Sequence, residues 1–195
     1  MSAPGSDKGA LRRAVLAQRD ALPSSARAEF NRRITATLRS QPAVLAARRA
    51  LVYLSFGSEF DTSELLAWLR ARAVTLVLPR VEREPRGLAL HEVADFDTDL
   101  APGVWGIREP VPARCPRVAR ESLDLVLAPG VAFTPSGGRL GYGGGFYDRL
   151  LAAWPARPPV LAAAFDIQVL DELPMVGHDV PVDCVVTETR VLTPG

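Results

Sequence analysis

A three-layer α/β sandwich with a mostly parallel central sheet is the fold this sequence predicts, and three observations predict it. Apolar runs of strand length recur at Ala50–Phe56, Val74–Leu78, Leu123–Ala128, Pro159–Phe165 and Val182–Thr187, with helical apolar spacing between several of them. The first two runs flank a helix through Leu65, Leu66 and Leu69, which makes a βαβ unit; parallel pairing with a right-handed crossover is the default for such a unit. The chain has 195 residues, 48% of them hydrophobic, and no repeat period, which suits one domain with a substantial core.

The elements follow in order. Residues 1–7 read as a disordered tail, and Lys8 to about Leu22 as a helix with Leu11, Val15 and Leu22 on one side and Pro23 closing it. Ser24 or Ser25 can cap a second helix running to about Arg39. After the strand Ala50–Phe56, Gly57–Thr62 is a loop ending in an N-cap, and the strand Val74–Leu78 is stopped by Pro79. Gly87–Val93 reads as another strand, Asp95–Pro102 as a loop, and Val104–Pro110 as short and extended, followed by a proline-bearing connector to about Glu121. Phe146–Trp154 has helical spacing.

Several classes are excluded by composition. A net charge of +1 argues against non-specific nucleic-acid binding as the main task. The amino end carries no apolar run with a small-residue cleavage site, and no stretch approaches the roughly 20 apolar residues of a membrane span, so a cytoplasmic protein is expected. Cys115 and Cys184 stand far apart without a CxxC, which indicates neither a disulfide framework nor zinc. No long apolar stripe is left over, so a monomer is expected. His91 and His178, the only histidines, belong to no recognisable triad.

The chemistry gathers around Gly137–Arg149, where six of the nine residues 137–145 are glycine. Glycine loses the most chain entropy on folding, so such a cluster implies positive φ or a ligand against bare backbone. A glycine loop that follows a buried strand and opens a helix is an anion site; a plain glycine-rich hairpin is the competing reading. The stretch matches neither GxxxxGK followed by Ser or Thr nor a dinucleotide GxGxxG. Arg139 can fork onto a phosphate, and Asp148, one turn into the helix, can hold Mg²⁺. Residues 8–49 hold ten cations against Asp20 and Glu29, mostly a solvated arginine face. Lys8, the only lysine, stands one helical turn before Arg12. Like charges at i, i+4 near a helix start disfavour the helix by about 0.2–0.5 kcal/mol, so their presence there points to a bound anion.

Six blocks, Lys8–Arg12, Glu59–Thr62, Trp105–Pro110, Pro129–Phe133, Gly138–Arg149 and Val180–Glu188, occur in an order that resembles the 5-formyltetrahydrofolate cyclo-ligases, or methenyltetrahydrofolate synthetases, along nearly the whole chain. The resemblance implies a fold shared with sugar-phosphate isomerases and CoA transferases (NagB/RpiA/CoA transferase-like). It also implies an ATP- and Mg²⁺-dependent ligase that turns 5-formyltetrahydrofolate into 5,10-methenyltetrahydrofolate with release of ADP and phosphate. Carried over by position, Lys8, Gly9, Ala10, Leu11 and Arg12 would bind ATP together with Arg139, Leu140, Gly141, Tyr142, Gly143, Gly144, Gly145, Phe146 and Tyr147, with Lys8 and Arg139 catalytic. Leu54, Glu59, Trp105 and residues 142–147 would bind the folate, and Asp148 and Asp183 would hold Mg²⁺.

Two departures stand out: Thr134 replaces the usual Asp, which predicts weaker loop anchoring, and Phe146-Tyr147 replaces a pair of tyrosines. Trp105 could instead be core packing and Asp183 a turn cap. The rival functions are a sugar-phosphate isomerase or acyl transferase on the same sheet, and a folate- or RNA-binding protein without turnover.

Overall fold

The computed structural model describes residues 4–194, with side chains from residue 8 onward. Three helices come first, α1 (Pro4–Asp20), α2 (Ser24–Ser40) and α3 (Pro42–Ala46). The unit β1 (Arg49–Leu51), α4 (Ser63–Ala71), β2 (Thr75–Glu82) follows, then β3 (Gly87–Glu92) and a hairpin of β4 (Leu100–Pro102) and β5 (Arg108–Pro110). β6 (Leu125–Leu127) leads to a second hairpin, β7 (Ala132–Phe133) and β8 (Arg139–Leu140), and to α5 (Phe146–Ala152). β9 (Val160–Ala163), β10 (Cys184–Val186) and β11 (Val191–Leu192) complete the chain.

Seven strands form the central sheet in the order β11-β10-β9-β6-β1-β2-β3. The five inner strands are parallel and the two edges antiparallel. Strand side chains alternate between faces, and here both faces are covered, which is why the strands read as unbroken apolar runs. Leu76, Leu78, Leu125, Leu127 and Leu161 pack with Ile34, Leu38, Leu65 and Leu69 of α2 and α4. Val77, Val126, Val160 and Val185 pack with Leu150, Leu151 and Trp154 at α5, on the opposite side. α1 lies apart from both: Val15 packs with Val131, Ala132 and Leu140 around the second hairpin.

Several expectations are corrected. α1 starts at Pro4, inside the segment read as a tail, of which residues 1–3 lie outside the described residues. The cap of α2 is Pro23, with Ser24 already helical, because Pro23 O accepts the Arg27 amide at 3.0 Å and closes the first turn earlier. Thr62 takes the cap position of α4, but it is Asp61 that accepts the Ser63 amide, at 2.9 Å. Pro79 does not stop β2. Val77 O accepts from Val52 N, so positions 77 and 79 turn their backbone polar groups toward the β1 side, and by Pro79 the chain after β1 has left the sheet and no ladder donor is missed. The stretch Val104–Gly106 is a 3-10 turn, and β11 was not anticipated. No helix among the described residues is long and apolar enough to cross a membrane.

Candidate active site

The glycine cluster splits into two devices. Gly137 and Gly138 belong to the tight turn of the β7–β8 hairpin, in which Phe133 pairs with Arg139. Gly137 has φ 81°, and a Cβ there would lie 2.3 Å from Val182 O. Thr134 secures this turn by accepting the Gly138 amide on Oγ1 at 2.9 Å, so the hydroxyl supplies the anchoring that the departure from Asp had put in question. The remaining four glycines lie in Gly141–Gly145, which leads into α5, and Gly145 caps that helix at φ 63°.

Charge is threaded through both devices. Arg139, buried on β8, donates from Nη2 to Asp148 Oδ1 at 2.7 Å, and its guanidinium stands 5.8 Å from the Tyr147 ring centroid. Asp148 Oδ1 also accepts the Val180 amide at 3.2 Å. Arg139 Nε and the Tyr147 hydroxyl are buried without a hydrogen-bond partner among the described residues. Unpaired polar atoms of this kind cost stability and stand out in a native chain. On the outer side of the loop, Arg12 Nε donates to Gly141 O at 2.7 Å, and Lys8 pairs with Asp179 at 2.5 Å.

Glu59 reaches the site on the segment that leaves β1. Its Oε2 accepts the Phe56 amide at 3.0 Å and its Oε1 the Tyr142 hydroxyl at 2.5 Å. Burial pushes its carboxyl above the ordinary range, and the Tyr142 bond, the Phe56 amide and the Arg19 charge pull the other way. Burial likewise raises the Tyr142 and Tyr147 phenols, so both remain protonated hydrogen-bond donors. A carboxyl raised on folding contributes stability that is fully present below its unfolded pKa of about 4.3 and is lost as pH rises through its folded value. Glu59→Gln removes that dependence, so its melting temperature relative to wild type should improve as pH goes from about 4.5 to about 7.5. A difference that stays constant across that range would show that Glu59 is not strained by burial.

These groups meet at one cavity of about 470 Å³. Its walls are largely apolar, with Leu54, Leu78, Val81, Leu88, Val104, Ile107 and Phe146, and its polar points include Glu59, Arg139 and Asp148. Trp105, 70% exposed, is not core packing. It sits at the cavity rim with φ 58°, its ring 6.1 Å from that of Phe146. Phe146 in turn lies under two guanidinium groups, Arg86 at 5.4 Å and Arg149 at 5.1 Å.

Not all expected site residues converge. Gly9 and Ala10 lie on α1 away from the cavity lining, and Leu11 and Leu140 pack in the cluster beneath the hairpin. Arg12 borders the glycine loop and Lys8 is held by Asp179, and neither lines the cavity. Asp183 does not line the cavity: it precedes β10 at the amino-terminal end of the sheet, where it accepts from Arg157 at 2.7 Å and from the Val160 amide at 2.8 Å. Among the described residues no three His, Cys, Asp or Glu side chains form a metal cluster.

Sequence reasoning missed Arg19. It is buried on α1, donating to Ser58 Oγ at 2.9 Å and to the Tyr142 hydroxyl at 3.1 Å. The signal was present: Lys8, Arg12 and Arg19 are spaced i, i+4, i+11, which is one face of a helix. His91, by contrast, is a buried structural group whose Nδ1 lies 2.8 Å from Cys115 O.

Comparison with known proteins adds relatives of this arrangement. The profile of the 5-formyltetrahydrofolate cyclo-ligase family matches residues 4–188. The 5-formyltetrahydrofolate cyclo-ligase of Mycolicibacterium smegmatis is 33% identical over 96% of this chain and 93% of its own length. The protein of that name from Escherichia coli K12 is 31% identical over 89% of this chain and 96% of its own. Among solved structures, the 5,10-methenyltetrahydrofolate synthetase of Aquifex aeolicus superposes with a TM-score of 0.81 at 34% identity, covering 95% of this chain and 92% of that one. The synthetase of Mycoplasma pneumoniae, at 22% identity and a TM-score of 0.75 over 93% of this chain and 99% of its own, shares the fold.

Proposed function

The chain belongs to the 5-formyltetrahydrofolate cyclo-ligase family, and from that premise we propose that it cyclises 5-formyltetrahydrofolate to 5,10-methenyltetrahydrofolate at the expense of ATP, releasing ADP and phosphate. The observation that carries the proposal is an apolar, aromatic-rimmed cavity that has the buried Arg139 and the carboxylates of Glu59, Glu109 and Asp148 among its polar points, beside a glycine loop held by Arg12. A flat pterin and its benzoyl extension suit such walls, and buried polar groups at fixed points orient them. Fold kinship with sugar-phosphate isomerases and CoA transferases, a cytoplasmic location and a monomeric state complete the proposal.

The reaction asks for positioning more than for a nucleophilic side chain. A formamide oxygen is a poor leaving group until it carries a phosphoryl group, after which N10 can close the ring and phosphate departs. Phosphoryl transfer is assisted by cations around the equatorial oxygens and by alignment of attacking and leaving atoms. Arg139 supplies a buried guanidinium at the cavity, Arg12 a cation against the glycine loop for the polyphosphate, and Lys8, paired with Asp179, a further cation from the same face of α1. Glu59, kept an acceptor by Tyr142 and the Phe56 amide, orients the N–H groups of the pterin. Both hydrogen bonds of Asp148 fall on Oδ1, which leaves Oδ2 without a partner among the described residues. One free carboxylate oxygen with phosphate oxygens and water is the donor set that Mg²⁺ accepts. Bound there, Mg²⁺ would neutralise phosphate charge. Asp183, already engaged by Arg157, has no part in this proposal.

The test is the near-ultraviolet absorbance of methenyltetrahydrofolate when protein meets 5-formyltetrahydrofolate, with ATP and Mg²⁺ present together and each omitted in turn. Signal growth only with both is expected, and Asp148→Ala should raise the Mg²⁺ needed for half-maximal rate. Folate binding without any signal would leave a binding protein in place of a ligase.

A further inference from the structure

Arg19 has no role in the proposed reaction so far, yet it is 3% exposed and bonds to both segments that shape the cavity's polar end. Arginine only donates hydrogen bonds. Its Nη1 occupies an acceptor position on the Tyr142 oxygen at 3.1 Å, which leaves the Tyr142 proton pointing to Glu59 Oε1 at 2.5 Å. The chain of donors therefore runs one way, from Arg19 through Tyr142 to Glu59. The other branch of the same guanidinium, Nε, donates to Ser58 Oγ at 2.9 Å, and the Ser58 hydroxyl in turn donates to Asp20 Oδ1. One side chain at the end of α1 thus ties the residue before Glu59 to the residue that donates to Glu59. Tyr142 stands on flexible ground, between Gly141 and Gly143, and its ring is held otherwise by Phe56, with centroids 5.3 Å apart.

From this geometry we infer that Arg19 is a positioning residue: acting through the Tyr142 hydroxyl, it fixes Glu59 as a charged acceptor for the substrate's ring N–H groups and sets the conformation of the glycine loop. The inference rests on the cyclo-ligase reading above. Around Glu59 stand Tyr142 and the phenols of Tyr53 and Tyr147, which burial keeps protonated, and the charged side chains that share its cavities, Arg27 and Asp61 on one side and Arg108, Glu109, Arg139 and Asp148 on the other; among the cations it is Arg19 whose charge favours the ionised form.

The experiment is a double-mutant cycle on kcat/KM for 5-formyltetrahydrofolate, with Arg19→Met, Tyr142→Phe and the pair, each read across pH and alongside thermal melting. Arg19→Met should lower kcat/KM on the order of 10²-fold, as small misplacements in a site do. In the Tyr142→Phe background it should change kcat/KM by no more than about twofold, the scatter expected of independent sites. The acid limb of the profile should move to higher pH in both single variants, because each removes a contact that favours ionised Glu59. Should Arg19→Met not fold, Arg19→Lys keeps the charge but not the fork: it should lower kcat/KM in the wild-type background and not in the Tyr142→Phe background, with the acid limb moving less than in Tyr142→Phe. Equal losses in both backgrounds, or losses that follow melting temperature with the acid limb unmoved, would overturn the inference and leave Arg19 a purely structural tie. A wild-type protein that forms no methenyl product would instead remove the reaction itself, and the role with it.

Discussion

Replacing Arg139 by Ala is expected to lower kcat/KM by at least about 10³-fold, the range associated with a cation acting on a transferring phosphoryl group. It is also expected to destabilise the protein. The Arg139 side chain is 2% exposed and that of Asp148 14%, and removing one partner of a buried ion pair strands the other charge at a cost of about 3–5 kcal/mol. For a chain of this size that is a fall of roughly 10 °C in melting temperature. The two effects separate in the pair Arg139→Ala with Asp148→Ala, where stability should return in part because no charge is stranded, while turnover should not. An Arg139→Ala protein that melts as wild type and keeps its kcat would refute both assignments.

The second large effect is expected at Gly137. A side chain there meets Val182 O at 2.3 Å and Pro194 Cγ at 2.8 Å, with φ fixed at 81°. The turn cannot move aside freely, since Gly137 N donates to Thr134 O at 3.0 Å and Gly137 O accepts the Val182 amide at 2.9 Å. Backbone strain of this kind costs about 1–3 kcal/mol before the clash is counted. Gly137→Val should therefore lower the melting temperature by roughly 2–12 °C from strain alone, at 2–4 °C for each kcal/mol, and by more with the clash. Because Arg139 follows two residues later, activity per folded molecule should fall as well. A variant that melts within a degree or so of wild type would mean that the hairpin tolerates a different turn.

Much of this architecture was legible because burial on both faces writes strands as uninterrupted apolar runs, as in Leu125–Leu127 and Val160–Ala163. Strand ends were not legible. The run Ala50–Phe56 is apolar but for Ser55, yet only Arg49–Leu51 is strand; beyond it Val52 packs in the core and Tyr53, Leu54 and Phe56 line the cavity, which composition cannot distinguish from sheet burial. Pro79 misled because a missing donor matters only where a neighbouring strand is present to receive it. In the site, Arg139, Asp148 and the glycine loop were found from residue type and spacing and Glu59 from the resemblance, and they do meet at the cavity. Asp183 has its metal role from the resemblance alone. It stands at the start of its strand, whereas ligands in open α/β sheets gather beyond the carboxyl ends, a rule that already counted against it. Arg19 was overlooked because it sits among nine arginines between residues 8 and 49, where only its register with Lys8 and Arg12 sets it apart.

The exposed indole of Trp105 has an optical consequence. Of the three tryptophans, Trp154 is 8% exposed and Trp68 lies beneath the guanidinium groups of Arg39 and Arg72, so the 70% exposed ring at the cavity rim is the one whose emission is most relaxed by water. The methenyl product in the cavity would lie close to that ring and, unlike 5-formyltetrahydrofolate, absorb in the near ultraviolet where the ring emits. The protein thus carries its own fluorophore beside the cavity, and quenching at the red edge of its spectrum would report occupancy in real time, without a label and without turnover.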